Sequence, residues 1–131
     1  MLVPVGSSDP GTARVAGRRP ELAVAVSSHF ADLERIVGAE LLERCRARVQ
    51  SIVAGTPEAP AADGADTDVV RACLALTEQF CFSAQWVTDD QIDSVLRYLE
   101  PGRLFALIVA VSLAERWYRL TAFLDGTSVS R

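Results

Sequence analysis

The chain has 131 residues, half of them apolar and 23% charged, with a formal net charge of −4. That length suits one domain. The acidic balance excludes nucleic acid or an anionic membrane surface as the main partner, because phosphate binding needs a basic patch. The longest apolar run, LFALIVAVSLA at 104–114, is eleven residues. A membrane span needs roughly twenty, so this run is expected to be a helix buried on nearly every side.

The mean hydropathy of +0.20 is high for a chain with this much charge. Surplus apolar surface of that kind is expected to be covered in a homo-oligomer. Lysine is absent and all thirteen cations are arginine. The three cysteines, Cys45, Cys73 and Cys81, form no CxxC. An odd number without paired spacing argues against a disulfide framework and against a structural zinc site, and fits reduced thiols in a cytoplasm. No secretory h-region follows Arg18-Arg19.

Residues 1–19 are rich in Gly, Ser, Pro and Arg without periodicity, and are expected to form a flexible arm. Pro20 suits the first turn of a helix, with Glu21 at the positive end of its dipole. Leu22, Val26, Phe30, Leu33 and Val37 then recur at helical spacing, until Gly38 interrupts. In the second helix Leu41, Leu42, Cys45, Val49, Ile52 and Val53 form the apolar face. Arg44, Arg46 and Arg48 are expected on a solvated face or a salt-bridge strip between subunits, with Glu40 and Arg44 as an i,i+4 pair. Gly55 ends this helix, and TPEAPAADGADTD reads as a linker.

Asp66 or Thr67 is expected to cap a third helix over 69–85, with Val69, Cys73, Leu76, Phe80 and Ala84 on one stripe. Thr88, Asp89, Asp90 and Gln91 spell a capping box for a fourth helix. Pro101-Gly102 ends it. A fifth helix spans 103–124, Gly126 closes it, and 127–131 is a tail. Trp86, near a helix end, is expected to pack. No strand, internal repeat or phosphate loop is visible.

LALTE at 74–78, VTDD at 87–90, Pro101-Gly102, Arg119-Leu120 and LDG at 124–126 follow one another in an order found elsewhere. Together with ELLERCRARV at 40–49 they resemble the carboxymuconolactone decarboxylase and AhpD-like alkylhydroperoxidase superfamily, over roughly residues 38–126. The resemblance implies an all-α, AhpD-like bundle of about five main helices over 20–126. It also implies a homo-oligomer with sites between subunits. Redox-active relatives carry a CxxC and a histidine after the arginine-rich helix. Here that place reads AGTPEAPAADG, so thiol peroxidase chemistry lacks its motif.

The residues themselves leave several readings open. Cys73 and Cys81 are eight apart on a helix, about 12 Å along its axis, too far to bridge, and read as small core hydrophobes. Glu78 sits between apolar flanks, LALT and FCF, and is either an exposed acid or a buried acid with a partner. Glu115 and Arg119 form an i,i+4 pair where the apolar helix turns polar. They mark either the helix's exit from the core or the polar end of an apolar pocket. In the second case Glu115 acts as acid–base group, Arg119 as carboxylate clamp, and Trp117 and Tyr118 as walls. His29, the one histidine, is a surface residue or a helper near neutral pH.

Two function classes follow. The first is a decarboxylase-, lyase- or isomerase-type enzyme without redox cysteines, acting on a small organic acid or lactone. Its catalytic candidates are Glu78, Glu115 and His29, and its substrate-binding candidates Arg119, Tyr118 and Trp117. It needs no cofactor or metal. The second is a non-catalytic helical oligomer that binds a ligand or a protein partner.

Overall fold

The structure, a computed structural model, describes residues 19–56 and 67–129, with side chains as far as Leu124. The expected arm before Arg19 and nearly all of the expected linker lie outside the described residues. The rest is helical: α1 (Pro20–Val37), α2 (Ala39–Ala54), α3 (Asp68–Ser83), a 3₁₀ turn at Ala84–Trp86, α4 (Asp89–Leu96) and α5 (Pro101–Val129). No strand occurs among the described residues. An all-α fold of about five helices is what the sequence led us to expect. Among the described residues no helix is long and apolar enough to cross a membrane.

Local chemistry sets the helix ends. Pro20 occupies the first turn of α1, where its missing N–H costs nothing. Gly38 breaks α1 from α2 with φ +105° and ψ 135°, a conformation that a side chain resists. Gly55 closes α2 in the left-handed region at φ +74°. Thr67 caps α3 by accepting from Val70 N–H. Thr88 and Gln91 make the full capping box at α4, each side chain satisfying the other's backbone N–H at 3.1–3.2 Å.

Two boundaries differ from expectation. Pro101 does not merely end α4 but opens α5, as its fixed φ permits at a first turn. Gly126 does not close α5 either. The helix runs through it to Val129, so 127–129 is not a separate tail. A single glycine inside a helix costs only about 1 kcal/mol.

α5 is the axis of the fold: α2 packs chiefly against it and against α3, α1 packs on α5, and α4 packs on α3. Leu104, Leu107, Val111, Ala114, Trp117, Tyr118 and Thr121 line its buried side. Ala106, Ala110 and Ala114 recur every fourth residue there and are buried, which lets neighbouring helices approach closely. Phe30, Val37, Leu42, Cys45, Val49, Cys73, Thr77 and Val95 complete the core at near-zero exposure. Trp86 is 67% exposed, contrary to expectation, because the 3₁₀ turn carries it outside the α3 stripe.

Candidate functional site

The three arginines of α2 do not share one solvated face. Arg48 is turned inward with its side chain 16% exposed, and its Nε donates to Glu78 Oε2 of α3 at 2.7 Å. Its Nη1 also donates to Ser51 Oγ at 3.1 Å. Arg46 is as buried, at 17%. It pairs with Glu43 of its own helix at 2.5 Å and donates to the Tyr118 hydroxyl of α5. Arg46 and Arg48 thus tie α2 to α5 and to α3 respectively. The signal for this in the sequence is angular. Arg48 lies three residues after Cys45, only about 60° round the helix from it, at the border of the buried stripe.

Glu78 is half-buried, with its carboxylate against Arg48. Glu115 is 20% exposed and accepts from Arg119 Nε at 3.0 Å, within α5. Cys81, one turn beyond Glu78, lies within the electrostatic reach of Glu115, Arg119 and Arg48. Burial, and after it the Glu115 carboxylate, push its thiol up to about 11, against the pull of Arg119 and Arg48. Glu115, Arg119 and Arg48 thus act on one buried thiol, and Glu78 joins them only through its pairing with Arg48.

The other candidates are placed differently. Trp117 and Tyr118 are buried, at 3% and 7% exposure, on the core side of α5. His29 is exposed on α1, next to the fully buried Phe30.

A groove of about 1100 Å³ lies elsewhere. It runs between the end of α1, the starts of α2 and α3, and the residues just after α4. Glu34, Glu40 and Glu43 line it together with Arg44, Arg46 and Arg103, a balanced lining with no net preference for an anion or a cation. Neither it nor the smaller described grooves take Glu78, Glu115, Arg119, Trp117, Tyr118 or His29 into their walls. An acid–base site needs a place for the reacting atom about 3 Å from the acid. At Glu78 and Glu115 the guanidinium nitrogens already stand there.

The thiols are equally committed to structure. All three cysteines are free and buried. Burial pushes Cys45 up to about 12, with the Thr77 hydroxyl partly opposing it. Burial pushes Cys73 to about 11, against Arg103. The thiolate is the nucleophile, so these groups are inert near neutrality. Among the described residues no three His, Cys, Asp or Glu side chains are placed to hold a metal ion. No known protein family, no curated protein and no solved structure matches the chain.

Proposed function

We propose that the chain is a non-catalytic helical module that works by self-assembly through the outer face of α5. One observation carries this reading. Phe105 and Phe123 on that face are 70% and 67% exposed, and Val109 and Leu120 about 40%. A helix that is apolar on its outer face as well as its inner one belongs inside something. Both candidate acids, by contrast, are ion-paired, Glu78 across the α2–α3 interface and Glu115 within α5.

The second reading keeps the enzyme, and a separate observation supports it. Glu115, Arg119 and Arg48 lie within electrostatic reach of Cys81, and Glu78 is paired with Arg48, the makings of a two-carboxylate site for a small organic acid once an arginine swings to the substrate. The resemblance to the decarboxylase superfamily agrees with it.

Two substitutions separate these readings. On the assembly reading, Glu78→Gln leaves the molar mass in solution unchanged, while Phe105→Glu lowers it to that of one chain. Mass by light scattering is the readout. If Phe105→Glu leaves the mass unchanged while Glu78→Gln abolishes binding of small carboxylic acids by calorimetry, the enzyme reading replaces the first.

A further inference from the structure

The outer stripe of α5 has a symmetry that specifies how two copies meet. Phe105, Val109, Ser112, Arg116, Leu120 and Phe123 fall within about 80° of one another around the helix at 100° per residue. Phe105 and Phe123 are eighteen residues apart, five full turns, and stand on the same line about 27 Å from each other. The positions of the stripe are also close to symmetric about the height of residue 114. Phe105 and Phe123 are each nine residues from it, and Ser112 and Arg116 each two. Val109 and Leu120 are five and six away.

We propose that α5 pairs with α5 of a second copy in antiparallel fashion about a two-fold axis at residue 114, an inference that rests on the assembly reading above. The pairing sets Phe105 against Phe123 of the second copy, Val109 against its Leu120, and Ser112 against its Arg116, each contact occurring twice. This is the self-complementarity that an isologous interface demands. A parallel pairing also stacks like on like, but it sets Arg116 directly on Arg116 and aligns the helix dipoles. The antiparallel register instead gives each long Arg116 side chain the small Ser112 to lie over. Within its own chain Arg116 Nε lies 3.5 Å from Ser112 Oγ, so its stem covers part of the stripe, and to lie over Ser112 of the second copy it swings away from that contact.

A shallow groove of about 350 Å³ flanks the stripe, bounded by Phe80 of α3 and by Ile108, Val109 and Leu113. Leu120 of the second copy stands at its mouth. Two exposed phenylalanines, two aliphatic residues and the groove walls together bury roughly 1,000 Å² over both copies, near the lower bound for a specific interface. That area fits a reversible dimer of micromolar affinity better than a permanent one.

The register also fixes an electrostatic signature. The two Arg116 residues lie near the axis, about 6 Å apart along it, and repel. Added sodium chloride screens them, so the dimer tightens severalfold with salt, and Arg116→Ala removes that dependence.

The test uses the full chain and single cysteines on the stripe. Val109→Cys and Leu120→Cys are made separately and mixed under oxidising conditions. The antiparallel register is expected to give an intermolecular disulfide in the mixture and none in either variant alone. If the chain is dimeric but Val109→Cys bridges to itself, the register is wrong while the assembly reading stands. If no cross-link forms and the mass stays that of one chain up to hundreds of micromolar, both fall. A dimer that Phe105→Glu leaves intact, with its helical circular dichroism unchanged, removes α5 from the interface and overturns the proposal as well.

Discussion

Arg48 of α2 and Glu78 of α3 meet at 2.7 Å across a helix interface, thirty positions apart in the chain. Both are drawn out of bulk water, Arg48 more than Glu78. Such a pair contributes more than a surface bridge and less than a fully buried one. Removing one partner leaves the other's charge at a helix interface without its counter-ion. Glu78→Ala is therefore expected to destabilise the fold by about 1–2 kcal/mol, read as a lower urea midpoint at unchanged slope. A double-mutant cycle with Arg48→Ala should show a favourable coupling. A coupling near zero would mean that the pair does not hold α2 to α3.

That relationship shows which part of the site was legible in the sequence. Glu115 and Arg119 are four apart on a helix, and spacing alone foretold their contact. The partner of Glu78 was hidden because it comes from another helix, and because an arginine-rich segment in a charged helix reads as solvated surface. Arg46 and Arg48 sit at the edge of the apolar stripe, where a guanidinium either reaches water or reaches across to a neighbour. The neighbour decides, and it is a tertiary fact. The helices themselves were legible because Pro20, Thr67 and Thr88 carry start signals and Gly38 and Gly55 carry stops. The end of α5 was misjudged because Gly126 is tolerated within the helix. The outer stripe of α5 was read as burial on nearly every side, and within a single copy that burial is incomplete.

The cysteines make a second prediction, on reactivity. Thiols held at about 11 or 12 inside the core do not form thiolate near pH 8. In native protein all three should resist a disulfide-exchange reagent, reacting only at the rate of unfolding, and all should react at once in denaturant. Fast labelling of Cys81 in the native state would show it to be accessible and reopen the thiol reading.

A pH dependence follows from the same shifts. The folded-state value of each thiol is raised above its ordinary 9.0. Above that value the unfolded chain releases thiol protons that the folded chain retains. Unfolding then loses bound protons, and the slope of stability against pH is negative. This contribution is fully present below pH 9 and is lost as pH rises through about 11 to 12. A variant with Cys45, Cys73 and Cys81 all changed to alanine should show a shallower alkaline decline, measured by urea titration at several pH values.

Gly38 supplies a fourth prediction. Its φ of +105° is one that residues with a side chain rarely adopt, and an added Cβ would stand 3.4 Å from Arg103 Nη2. That guanidinium donates to Val37 C=O at 2.5 Å, at the end of α1. Gly38→Ala should cost about 1–3 kcal/mol through backbone strain. Thermal unfolding followed by circular dichroism is the check. An unchanged midpoint would show that the break between α1 and α2 does not require glycine.

The central claim is that α5's outer face is covered by a second copy. Sedimentation equilibrium of the full wild-type chain, from low micromolar to hundreds of micromolar, tests it most directly. The mass is expected to rise from that of one chain, 14.1 kDa, towards twice that value, with a midpoint in the micromolar range that falls as sodium chloride is added. A mass of one chain throughout would contradict it, and would leave Phe105 and Phe123 as exposed residues with no self-association to explain them.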